Sequence, residues 1–469
     1  MKILLTHGYF LKEDPAELKI MKPYPPLGML YISAWLEKKK IGHELFDTTF
    51  SDFEKQTGYS GSFHPDVIGI YTTLKTKRNV LRLISFIRKN EENHETFIII
   101  GGPDGRYQAE NYLHHGADMI IPGEGEITFE ETLDCISSGQ ENFLSRNDQF
   151  FSLLRNVPGI IFRNNTGEII RTAERKLLAM AELPFPARHR VDIEQYMKSW
   201  KEKHGYASLT ISSMRGCPYS CNWCSKNIYG NTYRRRDPSL VVDEIEWIKS
   251  TFNPDQLWFT DDVFTISKEW MKKFAGELHA RDLNLPYECI SRTDCMDDEM
   301  IGLLIETGCR KLWIGAESGS QRVLDLMNRK TDINKTIEVF RNLHKNGIAS
   351  GTFLMLGYPG ETKKDILQTA SFLKLAKPDE MTITMAYPIK GTRFYEEEES
   401  SFLSPYNWET MTDRDIQYKK PYNRRFYRFA IRYLFNRFNT VRPQQGYRRF
   451  IYFLKYKLSR LAMEILQII

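Results

Sequence analysis

The stretch SLTISSMRGCPYSCNWC, residues 208–224, begins as a short apolar strand and continues into a loop with three of the chain's seven cysteines. Cys217, Cys221 and Cys224 follow the spacing Cys-x₃-Cys-x₂-Cys, with Trp223 directly before the last of them. Thiols this close together in a Gly-Pro-containing loop are typical of metal ligands rather than of a disulfide framework. A loop that directly follows a strand is also where an α/β barrel carries its functional groups.

Two kinds of metal site fit the three thiols unequally. A structural zinc site uses four ligands, and His204, the nearest upstream candidate for a fourth, does not have the spacing of a zinc site. A 4Fe–4S cluster is normally held by four thiolates, so three thiolates leave one iron open to a small molecule. The pattern therefore favours a reactive iron–sulfur cluster on Cys217, Cys221 and Cys224.

Strand-like segments recur at regular intervals from this loop toward the C-terminus, with helical stretches between them. Six such segments predict a partial (β/α)6 TIM-type barrel over residues 191–400. They are SLTISSM (208–214), QLWFTD (256–261), YECIS (287–291), KLWIGA (311–316), GTFLML (351–356) and MTITMA (381–386).

The first 190 residues show the same alternation and predict an α/β, Rossmann-like domain with a parallel sheet. Its expected strands are KILLTH (2–7), HELFDT (43–48), DVIGIYT (66–72), FIIIGG (97–102) and ADMIIP (117–122). Residues 158–172 predict a hairpin with the turn NNTG. Pro184 and Pro186 indicate a linker, which places the boundary near residue 190. Ligands of such sheets lie beyond the carboxyl ends of the strands, where glycine-rich loops occur here.

The composition, 41% hydrophobic and 27% charged over 469 residues, is that of an ordinary globular chain. No apolar run approaches about 18 residues, the length that spans a bilayer, so a cytoplasmic location is expected. From Lys419 onward there are 13 Lys and Arg against one acid, Glu464. Residues 401–469 therefore predict a basic, aromatic helical extension. Its helical spacing puts Arg425, Arg428 and Arg432 on one face and leaves two alternatives open, namely contact with the inner membrane surface and packing on the barrel.

The cysteine motif resembles the signature of the radical S-adenosylmethionine (SAM) enzymes. This resemblance implies a 4Fe–4S cluster whose open iron binds SAM and cleaves it to a 5′-deoxyadenosyl radical. The loops FTDD (259–262), ISRTD (290–294), GAESGS (315–320) and LGYPGET (356–362) resemble the SAM-binding side of that barrel. The family's Gly-Gly-Glu motif is absent, and two aspartates occupy its place. The SAM contacts implied by the resemblance are Asp261, Asp262, Arg292, Glu317, Gly357 and Gly360.

The N-terminal segments YPPLGMLYISAWLEKKKIGHELFDT (24–48), PDVIGI (65–70), GGPD (101–104) and GADMIIPGEGE (116–126) resemble, in this order, the cobalamin-binding half of cobalamin-dependent radical SAM proteins. The Asp-x-His-x-x-Gly motif that supplies a histidine to cobalt is missing, and His7 lacks the matching neighbours. The resemblance therefore implies cobalamin without a protein histidine on cobalt. Its implied contacts are Thr72, Thr73, Gly101, Gly102, Pro103 and Glu124.

Together, these resemblances cover about residues 1–400 and imply an enzyme that functionalises an unactivated carbon, with C-methylation favoured. Cobalamin-assisted cyclisation or rearrangement of a tetrapyrrole or lipid is the alternative. Radical SAM modification of RNA is more remote, because those enzymes carry a second three-cysteine cluster in a half that here holds only Cys135. A non-catalytic cobalamin or redox sensor would not need the SAM-side loops.

The expected partners are a small-molecule substrate, a lipid or tetrapyrrole among them, and a flavodoxin- or ferredoxin-type electron donor. Tyr358, Tyr387 and Tyr395 are candidates to line the substrate cavity, although tyrosines also pack routinely. The sequence does not identify the catalytic residues that face the substrate.

Overall fold

A computed structural model describes residues 1–138, 147–226, 228–442 and 446–467. The N-terminal region is a seven-stranded sheet in the order β2-β1-β3-β4-β5-β6-β7, in which β1 to β5 are parallel and the last two strands antiparallel. Its strands are β1 (Ile3–His7), β2 (Glu44–Phe46), β3 (Val67–Tyr71), β4 (Phe97–Gly101), β5 (Met119–Ile121), β6 (Ile161–Arg163) and β7 (Ile169–Arg171). All five predicted parallel strands and the predicted hairpin are confirmed.

Helices cover both faces of this sheet, which explains why its strands are almost continuously apolar. In β4, Ile98 and Ile100 enter one buried core while Phe97 and Ile99 enter the core on the opposite face. The helices are α1 (Pro15–Ile20), α2 (Leu27–Lys38), α3 (Phe53–Phe63), α4 (Lys77–Lys89), α5 (Ala109–His114), α6 (Glu126–Ser138) and α7 (Asp148–Leu154).

The second region is a six-stranded, all-parallel sheet in the order β15-β14-β13-β12-β11-β8. This confirms the predicted partial barrel. Its strands are β8 (Ser208–Ile211), β11 (Gln256–Phe259), β12 (Tyr287–Ser291), β13 (Cys309–Glu317), β14 (Ala349–Leu356) and β15 (Glu380–Met385). Its helices are α8 (Ile193–His204), α9 (Pro238–Thr251), α10 (Lys268–Ala280), α11 (Asp298–Glu306), α12 (Gln321–Leu326), α13 (Ile333–Lys345) and α14 (Lys363–Ala376).

The segment between the two sheets contains the predicted linker. The first sheet ends at Arg171, Pro184 and Pro186 follow in irregular chain, and α8 then leads into the barrel at Ser208. A boundary near residue 190 remains a prediction.

Helix α15 (Arg393–Glu398) precedes the C-terminal extension, which contains α16 (Arg424–Val441) and α17 (Gly446–Leu466). Phe426, Tyr433 and Phe438 of α16 are buried in the barrel core. Arg425, Arg428 and Arg432 are exposed, so α16 packs on the barrel as one of the two alternatives expected. No helix within the described ranges has the length and apolarity needed to cross a membrane.

Candidate active site

The cysteine loop is held at its base by a two-stranded antiparallel ladder, β9 (Met214–Arg215) with β10 (Arg234–Arg235). Gly216 enters the loop with φ 85°, and a Cβ there would lie 2.5 Å from the carbonyl oxygen of Thr232. Only glycine meets both requirements, because L side chains disfavour positive φ and the Thr232 backbone fills the space. The sequence therefore fixes how the loop leaves the strand.

The three thiols lie in a low-dielectric pocket. Cys217 and Cys221 are buried and Cys224 is half-buried. Burial raises the pKa of Cys217, and it raises the pKa of Cys224 to about 12. Thiolates at these positions therefore need a strong positive partner such as a bound metal. In the part of the chain that the structure describes, no three Cys, His, Asp or Glu side chains converge at metal-site spacing.

Two guanidinium groups converge on one of these thiols. Arg292 Nη1 and Arg329 Nη1 lie 3.6 and 3.5 Å from Cys221 Sγ. Glu317, buried and with φ 60°, lies 4.0 Å from Arg329 Nη2. Burial raises the pKa of the Glu317 carboxyl, which the two arginines partly oppose. Arg292 and Glu317 thus lie beside the cysteine loop, together with Arg329, a residue that no sequence motif marks.

The two aspartates after β11 have different surroundings. Asp261 is 1% exposed and accepts hydrogen bonds from the backbone N–H groups of Ser213 (2.8 Å) and Met214 (3.1 Å). Its carboxylate thereby fixes the start of the cysteine loop. Asp262 is exposed and lines the cavity described below. Of the two predicted SAM contacts, Asp262 is therefore the accessible one.

The loop after β14 contains two glycines with positive φ and is held by hydrogen bonds to other parts of the chain. Gly357 and Gly360 have φ of 76° and 78°. Gly357 N donates to Glu361 Oε2 at 2.6 Å, and Gly357 O accepts from the Tyr418 hydroxyl of the C-terminal extension at 2.5 Å. Neither glycine lines the cavity, so an adenine contact there remains a prediction.

A cavity of about 310 Å³ separates the carboxyl edge of the N-terminal sheet from the cysteine loop. Four of the predicted cobalamin contacts line it, namely Gly101, Gly102, Pro103 and Glu124. From the barrel side it is lined by Arg215, Gly216, Ser225, Lys226, Ile228, Tyr229, Gly230 and Asp262. Thr72 lies behind this wall, with its hydroxyl 2.9 Å from that of Tyr112.

Buried ion pairs connect the N-terminal region and the barrel at the edge of this cavity. Arg215 contacts Glu124 (2.7 Å) and Glu126 (2.5 Å). Glu124 also contacts Arg234 at 2.9 Å. Burial alone would raise the pKa of Glu124, but the guanidinium groups of Arg234 and Arg215 hold that pKa below its ordinary value. The Glu124 carboxylate is therefore engaged by the protein itself.

Two protein-family models match the chain. The B12 binding domain matches residues 18–133, and the Radical SAM superfamily matches residues 211–373. The chain is a cobalamin-binding radical SAM protein. Its cofactors are a 4Fe–4S cluster, SAM and cobalamin.

Relatives of this radical SAM protein extend over most of its length. An uncharacterized methyltransferase, PH0819 of Pyrococcus horikoshii, is 26% identical over 401 residues, which cover 83% of this chain and 82% of the relative. The anaerobic magnesium-protoporphyrin IX monomethyl ester cyclase of Rubrivivax gelatinosus is 25% identical over 414 residues, covering 85% and 70%. The solved structure of the cobalamin-dependent SAM radical enzyme OxsB, with aqua-cobalamin and SAM bound, superposes with a TM-score of 0.74 at 14% identity, covering 99% and 72%.

The floor of the cavity leaves space for a broad, flat ligand such as a corrin. Gly101 and Gly123 both line the cavity, neither has a positive φ, and a Cβ on either would meet no atom within 4 Å. Their backbone conformations therefore do not require glycine. The missing side chains instead leave room for a broad ligand to lie close to the backbone.

The two histidines considered as ligands are engaged elsewhere. His7 Nε2 lies 2.9 Å from Asp47 Oδ1 in a buried cluster, and Asp47 accepts a hydrogen bond from the Tyr196 hydroxyl at 2.7 Å. His204 Nε2 lies 2.9 Å from the carbonyl oxygen of Ile20. Neither histidine lines the cavity of this radical SAM protein.

A second cavity, of about 320 Å³, adjoins the first and shares Pro103 and Ser225 with it. Thr73 and Tyr387 line it, together with Lys390 from the segment after β15. Tyr358 and Tyr395 are instead buried among packed aromatic side chains. Of the three tyrosines proposed to line a substrate cavity, Tyr387 alone is in this wall.

Proposed function

We propose that this cobalamin-dependent radical SAM enzyme methylates an unactivated carbon of a small molecule. The observation that carries the proposal is the shared cavity, with the glycine floor of Gly101 and Gly123 on one side and the cysteine-loop residues Gly216 and Ser225 on the other. A ligand over the N-terminal sheet and a ligand at the cysteine loop therefore face the same space.

When bound, the cluster supplies the electron that cleaves SAM and cobalamin supplies the methyl group. The chain's own residues hold and orient these groups. Cys217, Cys221 and Cys224 would ligate three irons, and the Arg292 and Arg329 guanidiniums beside Cys221 would pair with the SAM carboxylate. The apolar cavity wall, which includes Ile99, Ile121 and Phe129, would exclude water from the reacting groups.

The substrate and the partners are part of the same proposal. The second cavity, with Tyr387 and Lys390 in its wall, offers a route to the cysteine loop from outside the first cavity. We assign the substrate to it and favour a lipid or a tetrapyrrole. A flavodoxin- or ferredoxin-type protein would deliver the electron, and the basic C-terminal extension would bring the enzyme into peripheral contact with the inner membrane surface.

The test is the anaerobically reconstituted holoenzyme with methyl-deuterated SAM and candidate lipids or porphyrins. We expect 5′-deoxyadenosine and a product that carries the labelled methyl group. Cys221→Ala should lose the cluster and SAM cleavage, whereas the matched change Cys135→Ala, in the N-terminal region, should retain both. A Cys221→Ala protein with an intact cluster that still cleaves SAM would contradict the ligand assignment.

Cyclisation or rearrangement is the second candidate, and the similarity to the anaerobic cyclase supports it. The same assay separates the two. Deoxyadenosine formed in step with a dehydrogenated or cyclised product, with no label transferred, would favour this candidate over methylation.

A further inference from the structure

The last helix, α17, is apolar on two opposite faces. One face packs on α16, where the rings of Tyr456 and Tyr433 stack at 4.6 Å and Met463 is fully buried. The opposite face leaves seven large side chains between 42% and 65% exposed. They are Tyr447, Phe450, Ile451, Leu454, Leu458, Leu461 and Ile465.

These seven side chains, which we call the outer stripe, lie within about 100° of the helix circumference. A surface helix of a globular protein normally has a single apolar face, directed at the core. Isolated exposed apolar residues are common, but seven in one continuous row form a patch of the kind that marks an interaction site.

Positive charge surrounds the outer stripe. α17 carries Arg448, Arg449, Lys455, Lys457 and Arg460. Its one acid, Glu464, pairs with Arg460 at 3.2 Å. The flanks of the stripe are therefore basic over most of the helix length.

A cationic cavity of about 590 Å³ lies at the start of the stripe, between α14, α16 and α17. Lys374, Lys377, Arg437 and Arg449 line it, and its described lining contains no acidic side chain. Phe450 and Phe453 form part of the same wall, so the outer stripe begins at the rim of this cavity. The four cations are suited to bind a lipid phosphate group, and the neighbouring aromatic rings are suited to contact its acyl chain.

We infer that the outer stripe and the cationic cavity together form a docking surface for an anionic phospholipid bilayer. The stripe enters the boundary between headgroups and acyl chains, and the cavity binds lipid phosphate. Two copies of this chain would bring the basic flanks together, which disfavours self-association through the stripe. An RNA backbone would use the cations but would leave the aliphatic row uncovered.

The inference names the surface for the membrane contact proposed above and does not depend on the reaction. It also moves that contact from α16, whose aromatic side chains are largely buried, to α17.

The test is flotation of the reconstituted holoenzyme with vesicles of phosphatidylcholine and phosphatidylglycerol in equal parts, and with phosphatidylcholine alone. We expect binding to the anionic vesicles, with at least a tenfold loss in the double variant Leu454→Glu, Leu458→Glu. The double variant Lys374→Glu, Arg449→Glu should lose binding by about twentyfold or more, because each cation near an anionic surface contributes about fivefold. Leu403→Glu, at a position 66% exposed but outside α17, is the matched control and should bind as the wild type does.

Two results would overturn the inference. One is a wild-type protein that stays unbound with anionic vesicles. The other is a wild-type protein that is a dimer by light scattering, together with a Leu454→Glu, Leu458→Glu variant that is a monomer and still binds the vesicles. SAM cleavage without vesicles should continue in all four proteins, which separates failure of this surface from failure of the reaction. If the leucine variant does not fold, the surface variant Lys374→Glu, Arg449→Glu decides the outcome.

Discussion

Glycines lie at the carboxyl edges of both sheets, but their surroundings differ. Gly101 and Gly123, in the N-terminal region, have ordinary backbone angles and open space where a side chain would project. Gly357, in the barrel, has a positive φ, and a Cβ there would lie 2.8 Å from Met385 Cε. The first pair leaves room for a ligand, whereas Gly357 is required by its loop. At Gly101 and Gly123 the N-terminal edge therefore leaves space beside the cavity, whereas at Gly357 the barrel edge is filled by its own chain.

The largest expected effect concerns the charge at the N-terminal edge. Glu124→Gln should lower the free energy of unfolding by about 4 kcal/mol, because it weakens the counter-charge of two largely buried arginines. Urea unfolding measures it. Glu131→Gln is the control, because Glu131 pairs with Arg175 at a partly exposed site, and it should cost about 1 kcal/mol or less. Equal losses would mean that Glu124 is not part of a buried interface.

The next effect concerns the pH dependence of folding stability, through a glutamate at the barrel edge. Burial raises the pKa of Glu361 to about 8, although the Gly357 N–H opposes this. The folded state then holds this proton more tightly than the unfolded state does. Stability should therefore fall as pH rises from the ordinary glutamate pKa toward about 8, by up to about 1.4 kcal/mol per pH unit.

Unfolding titrations near pH 5, 6 and 7 measure this slope. Glu361→Gln should flatten it, whereas Glu397→Gln, a change at an exposed side chain of α15, should leave it intact. A slope unchanged in Glu361→Gln would assign the proton to another group.

A somewhat smaller effect is expected at the barrel glycine itself. Gly357→Ala should lower the free energy of unfolding by about 2 kcal/mol, because of its positive φ and the close Met385 contact. Cobalamin binding should be unaffected. Gly302→Ala, in α11, has ordinary angles and open space and should be neutral or slightly stabilising. A Gly357→Ala protein that keeps its stability but no longer binds cobalamin would show instead that Gly357 leaves room for a ligand.

The smallest expected change in free energy concerns Gly101, where the backbone conformation does not require glycine. Gly101→Val should weaken cobalamin binding about tenfold, or about 1.4 kcal/mol, with stability nearly unchanged. Absorbance of bound cobalamin after gel filtration measures it. The control Gly42→Val also enters open space, but outside the cavity, and should bind normally. If Gly101→Val instead lowers the free energy of unfolding while cobalamin binding is kept, Gly101 has a structural role.

The sheets could be predicted because their signal is local. A strand covered on both faces, such as Phe97–Gly101, is a short run of apolar residues, and the chain alternates such runs with helices. The three loop cysteines lie within eight consecutive positions, and Gly101 and Gly123 each lie at the carboxyl end of a strand that is itself a short apolar run. Gly101, Gly102, Pro103 and Glu124 were accordingly expected at the cavity they line.

Pairings between distant residues could not be predicted. Arg215 and Glu124 are 91 positions apart, and Arg329 reaches Cys221 across 108 positions. No periodicity links such residues, because their contact depends on how the two sheets and their loops are placed. The composition of the extension was informative, but two amphipathic helices in succession gave no indication of which one the barrel would cover.

Arg215 lies two residues before Cys217, yet its counter-charges belong to the other half of the molecule. The N-terminal half therefore helps to hold the start of the cysteine loop, in addition to forming one wall of the cavity. A barrel severed from its first 190 residues would keep all three thiols of the cysteine loop but would leave Arg215 without either of its carboxylate partners.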